Sequence, residues 1–480
     1  MDEVMLSLSD YFKSKIFSEE DLNKALELSQ IYGSVFWAAD MGINDASDIE
    51  TELVERIGKS LECVVKSNPE KDTVHVISEP YLIGGHTRLM ERLASMHDSK
   101  PDLIITRSAS AEVKARLNQF FNIQYEVVAA EPVAQTLEIA KLLSDYRNVV
   151  LHVHPDDIVS IVACGLLQAS CSASTIYFVN HADHVFSFGS SVADYYFEIS
   201  SYGARRDVKK KIIGKKSFLG IPVDRPVNSL VTHSLTDKDN LKFFSAASAL
   251  KYKPRVGLSM SPVISMILDG YSNSTFHIVG ANLFTNYWWW GLKLKYRNRF
   301  SVVPHLPFEE YKALLTQADF YVDSYPIPGG TAFAEQLIQG RRCIGLVSPI
   351  QGYSPADMLK SESKADILND INAPRDYADA ALMCVQMNGY SVVKQRYLNC
   401  IYNDTISVSD MEKYVPWTGD TDFMREGRKI KSPIPIETVI ALVRIDKKLF
   451  FKLLSTLAMQ QKIRVVVKLI IRQFTRALSK

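Results

Sequence analysis

The sequence predicts an α/β protein built from two doubly wound parallel-sheet domains in tandem. Three observations carry that prediction. Short runs, apolar on both faces, recur from about residue 73 onward. Stretches of helical periodicity separate them. The series is interrupted once, by the polar segment 228-NSLVTHSLTDKDN-240, and then resumes. Strands covered on both faces read as unbroken apolar runs, and parallel neighbours need a helical crossover of about 10–15 residues between them. At 480 residues the chain is also too long for a single core.

In the first domain the predicted strands are DTVHVISEP, PDLIITRS, IQYEVVAAE, RNVVLHVHP, STIYFVNHADH, ADYYFEIS and KSFLGIPVD. Helices lie between them, among them HTRLMERLASMH, PVAQTLEIAKLLSDY and DDIVSIVACGLLQAS. In the second domain PRVGLSM, STFHIVGAN, RFSVVPHLP, DFYVDSY and RRCIGLVS read as strands. The expected division is a helical flank at 1–60, Rossmann-like domains at 61–235 and 236–430, and a tail at 431–480. No repeat of 20–50 residues occurs, so the chain is not a solenoid.

Composition narrows the class. With 47% hydrophobic and 23% charged residues the chain is neither disordered nor fibrous, and a net charge of +1 gives no field that would gather nucleic acid. The six cysteines are scattered without a CxxC pair, which fits thiols kept reduced. The start, MDEVMLSLSDYFKSK, is acidic and interrupted, unlike a signal peptide, and no apolar stretch reaches the roughly 18 residues needed to span a bilayer. The expected location is the cytoplasm.

Open α/β sheets bind ligands beyond the carboxyl ends of their strands, so two such domains place a site in the cleft between them. In 322-VDSYPIPGGTAFAEQLIQG-340 a strand ends at Asp323, Gly329-Gly330 follows, and Thr331 can cap a helix. A helix start offers unpaired amides and partial positive charge to a diphosphate, and glycine lets it come close. Glu335, one turn in, can reach a ribose diol; the plainer alternative is a turn followed by a solvated acid. A general base needs a tunable pKa, which singles out His181, with Asp183 and His184 on the same loop, and His86 at a helix start. His152 and His154 alternate on a strand, so one faces the core. Asp156 and Asp157 are placed to cap the next helix. The His181–His184 loop lacks a third metal ligand, and no DxD pair ends a strand, so no metal is expected. Trp288, Trp289 and Trp290 point different ways on any regular element and are expected to pack.

The order of these motifs resembles the GT-B glycosyltransferases over most of residues 73–350. In 301-SVVPHLPFEEYKALLTQADFYVDS-324 and the glycine/threonine loop after it, the resemblance implies base contacts at His305 and Leu306. It implies phosphate or sugar contacts at Gly329, Gly330, Thr331 and Ala332, and ribose contact at Glu335. The strand–helix–strand run 148–184 resembles the stretch of the family that ends in a histidine near the donor sugar, matched here by His181. The loop 84-GGHTR-88 corresponds to a glycine-rich first loop near the phosphates, implying roles for Gly84, Gly85 and Arg88. One departure concerns the cation that usually follows the first strand of the second domain. That loop reads GLSMSPV, with hydroxyls such as Ser259 only, so Arg88 or Arg255 would have to neutralise the diphosphate. The acid of the EX7E pattern would fall at Ile327, and the loop is closer to inverting relatives. The implied activity is hexosyl transfer from a nucleotide-diphosphate sugar, UDP-linked, to a glycan or lipid-linked acceptor in bacterial O-antigen or capsule synthesis, without a metal cofactor. An epimerase of the same fold and a non-catalytic scaffold are the rivals.

Residues 447–480 carry nine Lys/Arg and no acid. Arg464, Lys468, Arg472, Arg476 and Lys480 sweep roughly 160° of a helix. Ile463, Val466, Val467, Ile470, Ile471, Phe474 and Leu478 fall on the other side. This cationic amphipathic pattern suits a helix lying on an anionic membrane surface, here the inner face of the plasma membrane through residues 446–480, or packing on the protein itself.

Overall fold

The structure, a computed structural model, describes residues 3–61, 69–82, 84–170, 173–224, 240–304, 306–373 and 375–478. The expected linker and His305 lie outside them for the most part and altogether, respectively. Helices Glu3–Ser18, Leu22–Ala38 and Ser47–Leu61 precede the first sheet. That sheet contains β1 (Lys71–Ile77), β2 (Asp102–Ile105), β3 (Gln124–Glu126), β4 (Tyr146–His152), β5 (Thr175–Val179), β6 (Tyr195–Glu198) and β7 (Lys215–Phe218), in the order β3-β2-β1-β4-β5-β6-β7. The second contains β8 (Lys242–Ala246), β9 (Thr275–Val279), β10 (Phe300–Val303), β11 (Phe320–Val322), β12 (Arg342–Leu346) and β13 (Lys360–Ser361), in the order β10-β9-β8-β11-β12-β13. Every pairing between these strands is parallel, and each sheet reverses its strand order at an inner strand, the doubly wound arrangement.

The apolar runs are buried on both faces, as parallel strands require. In β4, Val149 and Leu151 join the core under the amino-terminal helices, while Val150 faces a second core shared with Tyr397. Helix starts follow the capping side chains: Asp21, Ser110, Asp157 and Ser200 each accept a main-chain N–H from the first turn.

One expected strand is displaced. PRVGLSM forms no ladder; it turns back on itself through an isolated Arg255–Leu258 bridge, with Val256 and Gly257 at φ +48° and +78°. Pro254 has no N–H to give a ladder. The central strand is instead β8, KFFSA, whose Phe243 stacks on Phe276 and Phe320 with ring centroids 6.1 and 5.4 Å apart.

The chain returns to the first domain after the second sheet. Helix Tyr390–Asn403 covers one face of the first sheet, and helices Ile436–Ile445 and Lys447–Thr456 pack on the amino-terminal helices. Ser34 and Thr438 hydroxyls meet there at 2.7 Å. The last helix, Met459–Leu478, touches this core through Val465 and Leu469. No helix among the described residues is long and apolar enough to cross a membrane.

Candidate functional site

Loops at the carboxyl edges of the two sheets meet. Ser201, after β6, donates its N–H to Gly352 O at 2.9 Å, and the Tyr353 hydroxyl donates to Asp183 Oδ1 at 2.9 Å. Further along the cleft, Arg92 of helix Gly85–Ala94 pairs with Glu335 at 3.0 Å.

On the first-domain side the site is a cluster of imidazoles. His181 lies two residues beyond β5, with Nε2 2.7 Å from His152 Nδ1. His86, in the first turn of its helix, donates from Nε2 to the His152 carbonyl at 2.7 Å, and its ring stands edge-on to His181 with centroids 4.3 Å apart. Burial disfavours the imidazolium form: it pushes His86 down to about 4 and His181 well below the usual histidine value, with His86 adding to the effect on His181. Both rings are therefore neutral near pH 7 and able to accept a proton. Asp183 is buried, and its carboxylate is committed to Tyr353, His184 and Ser200. That arrangement braces the loop carrying His181. Among the described residues no group of three or more His, Cys, Asp or Glu side chains is arranged to hold a metal ion.

On the second-domain side, Gly330 rather than Thr331 occupies the N-cap of helix Thr331–Ile338, and no side chain caps it. The expected threonine cap fails because Gly330, at φ +58°, makes the turn and leaves Thr331 already helical. Gly329 N–H donates to Asp323 Oδ1 at 2.7 Å. A Cβ on Gly329 would lie 2.6 Å from that oxygen, so the approach requires glycine. Residues 329–332 are partly exposed and the helix start is open. Asp323 is in turn held by Lys360 at 2.8 Å. Burial alone would lower the Lys360 pKa, but Asp323 and Asp357 more than offset it and keep the ammonium charged.

The cation missing from the sequence reading sits beside this loop. Lys251, five residues past the end of β8, donates Nζ to Pro328 O at 2.8 Å. Burial lowers its pKa, while Asp323 and Asp183 pull the other way. The sequence hides it because the expected strand PRVGLSM begins at Pro254, twelve residues after the start of β8 at Lys242. The short run KFFSA, followed by ALKY, was the signal available.

The remaining predicted residues divide. Gly84 and Gly85 open the helix carrying His86, and a Cβ on either would meet nothing within 4 Å. Arg88 is exposed one turn on, and its charge is felt by Tyr311 of the second domain. Ala332 is partly exposed beside Thr331. Leu306 packs against the second-domain core. Ser259 Oγ accepts Ser261 N–H at 3.2 Å and lies in the loop that leads into helix Ser261–Gly270. Glu335, expected at a ribose, is here engaged by Arg92, which also holds Asp224. Trp289 is fully buried and Trp290 half-exposed, so that run packs.

No family model matches the chain, and no curated protein matches it. Solved structures do. The lipopolysaccharide outer core galactosyltransferase WaaB, in its apo form, is similar at a TM-score of 0.52 and 14% identity, over 70% of this chain and 100% of that one. A glycosyltransferase from Rickettsia africae ESF-5 is similar at 0.51 and 12%, over 70% and 98%. Anabaena Alr3699/HepE, in complex with UDP-glucose, is similar at 0.50 and 11%, over 69% and 99%. At such identities the likeness establishes the architecture: the chain has the two-domain GT-B fold.

Proposed function

We propose that the protein is a GT-B glycosyltransferase of hexosyl type that takes a UDP-sugar as donor. The observation that carries this reading is the pairing, across facing carboxyl edges, of a neutral histidine cluster with an uncapped Gly-Gly helix start and a lysine. His181 takes the proton from the acceptor hydroxyl as it attacks the anomeric carbon. The departing diphosphate is stabilised by main-chain N–H groups of residues 329–332 and by Lys251, with no metal ion required. Similar folds, one solved with UDP-glucose and one a lipopolysaccharide outer core galactosyltransferase, support the donor class and a role in bacterial surface glycan synthesis.

The acceptor is lipid-linked on this reading, and the last helix lays the enzyme on the cytoplasmic face of the membrane. Its side chains Ile463, Val466, Val467 and Ile470 are 45–58% exposed, because the contact with the body is made through Val465 and Leu469. Arg464 and Lys468 flank this stripe, the chemistry of a helix bound to anionic lipid. Phe474, Arg476, Leu478 and Lys480 of the expected pattern lie outside the described side chains.

A thermal-shift screen of nucleotide sugars, followed by turnover with lipid-linked acceptors, tests the assignment. A UDP-sugar should raise the melting temperature and be consumed only with acceptor, with or without EDTA. Conversion of the sugar without acceptor would mean an epimerase, and no binding by any nucleotide sugar would mean a scaffold. Loss of residues 459–480 should abolish binding to vesicles containing anionic lipid; unchanged binding removes the membrane role.

A further inference from the structure

A line of hydrogen-bonded rings runs from His181 to the opposite edge of the first sheet, and proton abstraction by itself does not account for it. His181 Nε2 lies 2.7 Å from His152 Nδ1. His152 Nε2 lies 2.9 Å from His75 Nδ1, and these two rings stack with centroids 5.0 Å apart. His75 Nε2 faces the Tyr397 hydroxyl at 3.4 Å, and that hydroxyl is 3.0 Å from His97 Nε2. His97 Nδ1 is 2.9 Å from the Tyr402 hydroxyl, which donates to Asp72 Oδ2 at 2.8 Å. His75 and His152 are completely buried, whereas Tyr402 and Asp72 are exposed.

Buried imidazoles are retained in a core only when their nitrogens are satisfied. Burial holds His75 and His152 well below the usual histidine pKa and brings His97 down to about 4, against the pull of Asp72 and Asp98 and with Lys394 adding to the fall. Each ring is then neutral, with one N–H and one lone pair. The carboxylate of Asp72 only accepts, so Tyr402 donates to it and takes the His97 Nδ1–H. His97 Nε2 accepts from Tyr397, whose oxygen accepts His75 Nε2–H. His75 Nδ1 accepts His152 Nε2–H, and His152 Nδ1 accepts His181 Nε2–H. Every link then points the same way, and only one tautomer of His181 completes the chain. Its Nδ1 is unprotonated and carries no hydrogen bond among the described residues.

We propose that this chain of side chains, anchored by Asp72 at the far edge of the sheet, fixes the tautomer of His181 so that Nδ1 is the base. His152, His75, Tyr397, His97, Tyr402 and Asp72 are positioning residues; none touches substrate. The proposal deepens the transferase reading and rests on His181 being the base in it.

The test uses the full chain labelled with ¹⁵N-histidine, with the His181 signals assigned by their loss in His181→Gln. At pH 7 His181 should show Nε2 protonated and Nδ1 bare. Tyr402→Phe removes a single exposed hydroxyl, and Asp72→Asn can donate as well as accept; both remove the bias. Each should give a mixture of His181 tautomers and lower kcat roughly fivefold, the size of one lost hydrogen bond, with KM for the donor unchanged. An unchanged tautomer in both variants overturns the relay. If in that case His181→Gln still abolishes transfer, the transferase reading survives without it. If instead the tautomers mix while His181→Gln transfers sugar normally, the relay stands and the assignment of the base falls.

Discussion

In the proposed function the diphosphate depends on Lys251. It would supply the positive charge expected after the first strand of the second domain, and it lies against Pro328, one residue before the Gly329-Gly330 pair. A charged hydrogen bond to a diphosphate contributes about 1.5–3 kcal/mol, so Lys251→Ala should weaken UDP binding roughly tenfold or more. Calorimetric titration with UDP checks this, and unchanged affinity would remove Lys251 from the site. The histidines make a second prediction. A base whose pKa is depressed by burial stays unprotonated as pH falls through about 6.5, the ordinary histidine value. The rate constant kcat/KM should therefore stay flat between pH 8 and 6, where an ordinary imidazole would already have lost more than half its activity. A decline centred near 6.5 would show that the base is solvated.

The elements show how much of this was legible. All seven strands of the first sheet can be found in the sequence, because each is a short apolar run bounded by a helical pattern. His181 was visible for the same reason: it ends one of those runs. β8 was not, since FFSA is brief, lies next to a polar linker and is followed by a helix of four residues, Ala249–Tyr252. The edge strand β13, of two residues and paired with β12, carries almost no pattern at all. Tertiary pairing defines both. The chain of rings behind His181 was equally hidden, because Tyr397 and Tyr402 come from a helix more than two hundred residues downstream. The edge where β8 and β9 end is tight. Gly280 has φ +96°, and a Cβ there would sit 2.3 Å from Ala247 O. Gly280→Ala should cost about 2 kcal/mol or more in urea unfolding, and an unchanged midpoint would show that this edge is looser than described.

At the scale of the whole molecule, the chain passes from the first domain to the second and back. The return through helix Tyr390–Asn403 makes the first domain a joint product of both ends of the sequence, which explains why divisions drawn at 60 and 430 mark changes of pattern rather than separate bodies. Contacts between the halves are both polar and apolar: Tyr353 bonds Asp183, Arg92 pairs with Glu335, and Tyr202 packs in one cluster with Ile327 and Ile350. They place the open helix start of the second domain opposite the histidines of the first, and the functional account depends on that placement. Hydrogen exchange of the full chain with and without UDP tests it most directly. UDP should slow exchange of the amides in peptides covering 326–335 and leave the amino-terminal helices unchanged; binding of UDP that leaves 326–335 exchanging at its original rate would contradict the account.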